Sequence, residues 1–126
     1  MNVQPYNPQD HLIHIAHWLK QWKMPLENLD MLPPTGLIIP GIAAVLVYET
    51  NSKTCIVECM ICNKDRDKQV REEALDELVA VLLHMMKEKG FKYITSNSTN
   101  PKVVALAKKH GFIINEKPCF AFTRSL

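Results

Sequence analysis

No stretch of this chain is apolar for long enough to cross a bilayer. The most apolar segment, Gly36 to Tyr48, is broken by Pro40-Gly41, and a helical span needs about 20 apolar residues. The start, Met1-Asn2-Val3-Gln4-Pro5, lacks a basic region followed by an apolar one, so no signal peptide is expected and the chain reads as cytosolic. Its four cysteines are then expected to be free thiols. There is no second C-x-x-C and no H-x3-H, so zinc is not expected. Repeats, linkers and low-complexity tracts are also missing, and residues 1–126 read as one domain. The net charge of +2 is too small to imply a nucleic-acid or membrane partner.

That charge is unevenly spread. Residues 1–62 carry three basic and five acidic side chains, and residues 63–126 carry twelve and eight. The halves therefore stand at −2 and +4, which suits an anionic ligand on the second half or a solvated helix surface. Met1 to Tyr6 reads as a short edge strand. Asn7-Pro8-Gln9-Asp10 has an Asx cap, a first-position proline and a first-turn acid, so it starts a helix. Leu12, Ile15, Ala16 and Leu19 continue it at helical spacing to about Met24. Gly36–Ile39 and Ile42–Glu49 are β-branched runs on either side of a turn dipeptide, as in a hairpin. Thr54–Cys62 is a third strand of that region. The longest helix is expected over about Gln69–Lys89, with a strand at Phe91–Thr95. Asn100-Pro101 opens a second capped helix to His110, and a strand pair, Phe112–Ile114 with Cys119–Thr123, should close the chain. The fold class expected is α/β, a mixed sheet flanked by helices, in the order βαβββαβαββ.

From Thr54 onward this order and several local residues resemble the GNAT N-acetyltransferase superfamily. Cys59-Met60-Ile61 is similar to the apolar triplet of that family's fourth strand. Gln69-Val70-Arg71-Glu72-Glu73-Ala74 falls on its pyrophosphate motif, Q/R-x-x-G-x-G/A. Asn100, Leu106 and Gly111-Phe112 resemble the signature of its fourth helix. The short chain is also similar to bacteriophage-encoded members. The resemblance implies a GNAT fold and acetyl-CoA as cosubstrate. The backbone of Met60, Ile61 and Cys62 would meet pantetheine. Gln69, Arg71, Glu72, Glu73 and Ala74 would lie at the pyrophosphate, and Asn100 near the cofactor. Two positions depart from the pattern: Glu72 stands where the family has glycine, and Ala107 where it has a proton-donating tyrosine.

Amine acylation needs a base, and Glu58 is the only acid on the third strand of the hairpin region. Strict alternation would place it with Ile56 and Met60, opposite Cys55, Val57, Cys59 and Ile61. Apolar neighbours would then desolvate it and suit it to proton abstraction. The competing reading is a solvated edge glutamate. Arg66, Lys68 and Arg71 read as phosphate partners or as a solvated charge cluster. Cys59-Met60-Ile61-Cys62 lies within a strand with its thiols on opposite faces, unlike a redox pair. His11, His14 and His17 spread over too wide an arc for a metal site. The acceptor would be an amine of a small molecule or protein, lying near Trp18, Trp22, Met31 and Phe120. A homodimer is compatible with this reading. The alternative is a non-catalytic GNAT-fold phage protein, a structural or host-interaction module.

Overall fold

The computed structural model describes residues 1–24, 28–117, 120 and 122–126. In chain order its elements are β1 (Gln4–Pro5), α1 (Pro8–Gln21), a 3-10 turn (Leu29–Met31), β2 (Thr35–Ile39), β3 (Ala43–Glu49), β4 (Thr54–Cys62), α2 (Lys68–Glu88), β5 (Tyr93–Ser96) and α3 (Pro101–Lys109). The five strands lie in sequence order in one sheet. The first three junctions are antiparallel, and β4 pairs with β5 in parallel. The long crossover α2 makes that parallel step possible. This is the mixed sheet with flanking helices that the sequence leads one to expect.

Local chemistry sets the helix starts. The Asn7 side chain accepts from the Gln9 amide at 3.0 Å, and Asn100 accepts from the Lys102 amide at 3.0 Å. Each is followed by a proline whose missing N–H costs the first turn nothing. At the β2–β3 turn Gly41 has φ +77°, a conformation that glycine adopts freely. Gly36 is needed for a different reason. A Cβ there would lie 2.2 Å from the Val45 carbonyl oxygen, so β2 and β3 approach too closely for any side chain.

Two apolar layers cover the sheet. Leu78, Leu82, Ala74 and Met86 of α2 pack on Leu37, Val45, Val47 and Cys55. On the other face Ile15, Trp18 and Leu19 of α1 pack on Ile38, Leu46, Cys59 and Ile61. Each fully buried aliphatic contributes about 1.5–3 kcal/mol, so the two faces hold the sheet rigidly between the helices.

Two expectations are corrected. Strict alternation along β4 fails, because Val57 pairs with Val47 and Cys59 with Leu46, leaving Glu58 opposite no residue of β3. This extra residue is a β-bulge. It puts Val57, Met60 and Cys62 on the α2 face and Cys59 and Ile61 on the α1 face. The first member of the terminal strand pair is the second. Phe112–Ile114 form no strand, and Ile113 is 96% exposed. Of Cys119–Thr123, Cys119 and Ala121 lie outside the described residues.

Among the described residues no helix is long and apolar enough to cross a membrane. Cys55, Cys59 and Cys62 are free thiols.

Candidate active site

β4 and β5 run side by side only from Thr54/Tyr93 to Val57/Ser96. There β5 stops, while β4 continues through the Glu58 bulge to Cys62. Ser96 closes the fork by donating from Oγ to the Val57 carbonyl at 3.0 Å. Beyond it, among the described residues, the outer edge of β4 has no neighbouring strand, and its residues line a cleft of about 990 Å³. That volume suits a ligand larger than a metabolite fragment. α2 and α3 form one wall, and the end of α1 with the 3-10 turn forms the other.

The α2 end of the cleft is strongly tied together. Trp22 donates from its indole Nε1 to the Cys62 carbonyl at 2.7 Å. Its ring lies between two cations, with Lys64 Nζ at 5.0 Å and Arg71 Cζ at 5.2 Å from the centroid. The Gln21 amide group bonds the Lys64 backbone N–H at 3.0 Å and the Asp65 carboxylate at 3.1 Å. So the last turn of α1 fixes the loop that leads into α2. Arg71 also lies beside the Cys62 thiol. Burial raises that thiol's pKa, and the guanidinium partly offsets the rise. Among the described residues the Nε of Arg71 is buried and has no hydrogen-bond partner. Buried donors are rarely left unpaired, because the lost water is not replaced.

On the opposite wall Asp76 holds α3 to α2. It accepts from Lys109 Nζ at 3.0 Å and lies 2.7 Å from His110 Nε2. These two contacts hold its carboxyl below the usual carboxylate range.

Glu58 projects from the bulge into the cleft and is exposed, not desolvated as strict alternation implied. It stands close to Tyr48 and Cys59. Burial first, and the Glu58 charge second, raise the pKa of both groups, and Cys59 is pushed up to about 12. Tyr48 in turn donates its hydroxyl hydrogen to the Met31 carbonyl. Tyr48 thus lies between Glu58 and Met31, and Met24, Met31 and Leu32 line the same cleft as Glu58.

Solved structures of acetyltransferases resemble this chain along nearly its whole length. One is an aminoglycoside acetyltransferase from an uncultured soil metagenomic sample, in complex with sisomicin. It is 11% identical with a TM-score of 0.71, over 98% of this chain and 96% of that one. A second is an aminoglycoside N-acetyltransferase in complex with CoA, 17% identical with a TM-score of 0.64, over 98 and 95%. A Trypanosoma brucei acetyltransferase is 13% identical with a TM-score of 0.65, over 97 and 99%. The chain has the GNAT acetyltransferase fold. No protein-family model and no curated protein matches it.

Within that fold the residues singled out from the sequence separate clearly. Glu58, Met60, Ile61, Cys62, Arg71, Glu72 and Asn100 line the cleft. Gln69 and Glu73 do not; they are exposed and bonded to each other at 3.1 Å. Ala74 is buried beneath α2 in the sheet-facing core. Trp22 and Met31 form cleft wall, Trp18 is core, and Phe120 stands in solvent. Sequence reasoning passed over Ser96, the Asp76–Lys109–His110 cluster and the role of Trp22 at Cys62. The polar run Ser96-Asn97-Ser98 directly after a strand was the one signal for the first of these. Among the described residues no three His, Cys, Asp or Glu side chains come together as metal ligands.

Proposed function

We propose that this protein is an acyl-CoA-dependent N-acyltransferase that uses acetyl-CoA and modifies an amine. One observation carries the reading: β4 leaves β5 at Val57/Ser96, and its free edge floors a cleft that runs to the start of α2. A strand edge offers N–H and C=O groups to an amide-bearing ligand whatever its side chains are. The amides and carbonyls from Met60 to Cys62 would take the pantetheine arm. Arg71 and Lys68 would take the phosphates, and the Arg71 Nε, unpaired among the described residues, is consistent with an anion there. Asn100 and Lys102, at the start of α3, would border the other side. Acetyl-CoA supplies a thioester as the activated acyl group. Glu58 would hold the amine in the open end of the cleft and accept its proton. With Ala107 at the family's tyrosine position, no phenol of α3 is available as a proton donor.

A second reading, a non-catalytic phage protein on the same fold, draws on Glu72. This carboxylate lines the cleft and is paired only with exposed Lys68 at 3.9 Å. Such a pair contributes little, and the charge would repel a phosphate. A homodimer belongs to the first reading, and Ile113, Phe120 and Phe122, all more than 90% exposed, are surface it could cover.

Thermal unfolding with acetyl-CoA separates the two readings. A ligand at 100 times its Kd stabilises a protein by about 2.7 kcal/mol, which is roughly 10 °C for a chain of this size. A rise of that order with acetyl-CoA and none with adenosine supports the enzyme. No shift at millimolar acetyl-CoA refutes it.

A further inference from the structure

The amine-binding end of the cleft has a distinct chemical character. Away from the α2 end the cleft is lined by Leu19, Met24, Met31 and Leu32, with Glu58 at the bulge. Met24 and Met31 are 46 and 42% exposed. Methionine is flexible and polarisable, and it moulds to apolar bodies of varied shape. Among the described residues three carboxylates line the cleft, and two of them, Glu72 and Asp76, stand on the α2 wall. Asp76 is held by Lys109 and His110, and Glu72 pairs with Lys68. Glu58 makes no ion pair among the described residues. Lys68, Arg71, Lys102 and Lys109 line the same cleft, so its cations outnumber its acids. A polycation would bring several ammonium groups to the one described carboxylate on this side of the cleft, and each unpaired one would lose water without a partner. A single ammonium on an apolar body would leave nothing unpaired.

We propose that the acceptor is a small monoamine with an apolar body, an arylalkyl or long alkyl amine. Its nitrogen lies on Glu58 and its body lies against Met24, Met31 and Leu32. The proposal rests on the acyltransfer reading and sets this site apart from one built for a polyamine or an amino sugar. The amine arrives as an ammonium and gives one proton to Glu58. The C–N bond forms as the thioester C–S bond breaks, and the thiolate leaves with the second proton of the amine. Glu58 then returns its proton to water, so each turnover gives an amide, a thiol and one free proton.

The test uses two arms on the whole protein. In the first, isothermal titration calorimetry follows addition of phenethylamine, phenethyl alcohol, spermidine or kanamycin, all without cofactor. Phenethylamine should bind at least about tenfold more tightly than the other three, as one well-placed charged contact allows. Glu58→Gln should bring the amine down to the level of the alcohol, while the alcohol itself binds as before. In the second arm, thiol release from acetyl-CoA should be faster with phenethylamine than with spermidine, kanamycin or a Met-initiated peptide. Equal or tighter binding of spermidine or kanamycin overturns the proposal. Transfer to the peptide in preference to the amine overturns it too, as does an amine–alcohol difference that survives Glu58→Gln. Failure of the parent reading is recognised separately: acetyl-CoA would then give no thermal shift, and both fall together. A shift without discrimination among the amines sinks the acceptor proposal alone.

Discussion

Replacing Arg71 by methionine separates what the site does for ligand from what it does for the fold. The change keeps the length and apolar stem of the side chain and removes the guanidinium. In the free protein two effects oppose each other. Trp22 loses one of its two cations, worth about 0.5–1 kcal/mol at a partly exposed ring, while Lys64 remains 5.0 Å from it. The buried Nε that has no partner also disappears, relieving a desolvation cost of about 1–3 kcal/mol. The net change in stability should therefore be small, and the midpoint of thermal unfolding should move by less than about 5 °C either way. Binding of acetyl-CoA behaves differently, because the wild-type guanidinium meets a phosphate and gains what it lacks when free. A charge-assisted hydrogen bond is worth about 1.5–3 kcal/mol, so the variant should bind acetyl-CoA roughly 10- to 150-fold more weakly. Isothermal titration and calorimetric melting on the same preparations measure both quantities. A drop well beyond 5 °C with unchanged affinity would make Arg71 a structural residue and remove it from the phosphate site.

Four further outcomes are expected. Glu58→Gln keeps the shape of the side chain and removes its basicity, so turnover with a good amine should fall roughly 10²–10⁴-fold; an undiminished rate excludes Glu58 as the base. Gly36→Ala forces a Cβ to within 2.2 Å of the Val45 carbonyl and 2.9 Å of Leu46 Cα, and should cost about 3 kcal/mol, near the top of the overpacking range. A melting temperature within about 2 °C of wild type would deny that close approach. With the Cys59 thiol pushed up to about 12, roughly one molecule in 10⁴ carries the thiolate at pH 8. Alkylation of the native protein at pH 8, mapped by mass spectrometry, should therefore find Cys62 labelled well before Cys59, and fast labelling of Cys59 would mean that α1 does not cover β4. Lys109 and His110 hold the Asp76 carboxyl below its ordinary 3.8, so its stabilisation is present above that pH and lost as acid carries the pH down through the lowered value. The gap in melting temperature between wild type and Asp76→Asn should close as the pH falls below 3.8, and a gap that persists undiminished on acidification refutes the electrostatic pin.

The sequence by itself determined what local rules govern. Asn7-Pro8 and Asn100-Pro101 cap α1 and α3 because the side-chain acceptor and the absent proline N–H act within one turn. Thr54 and Cys62 bound β4 as expected, and the 3.6-residue period of Ala74, Leu78 and Leu82 marks the buried stripe of α2. The order of these elements was enough to suggest the GNAT fold and to bring Glu58, Met60 to Cys62, Arg71 and Asn100 forward as site residues. Tertiary structure decided the rest. Period two runs unbroken through any strand sequence, so nothing local reveals that Glu58 is an extra residue between the Val47 and Leu46 pairings. That one residue reverses the side-chain faces of the second half of β4 and lifts Glu58 into the cleft. Trp22 meets Lys64, Arg71 and the Cys62 carbonyl across at least 40 residues of chain, beyond the reach of any spacing rule. Phe112–Ile114 show the same limit. A strand exists only where another strand pairs with it, and apolar alternation does not provide the partner.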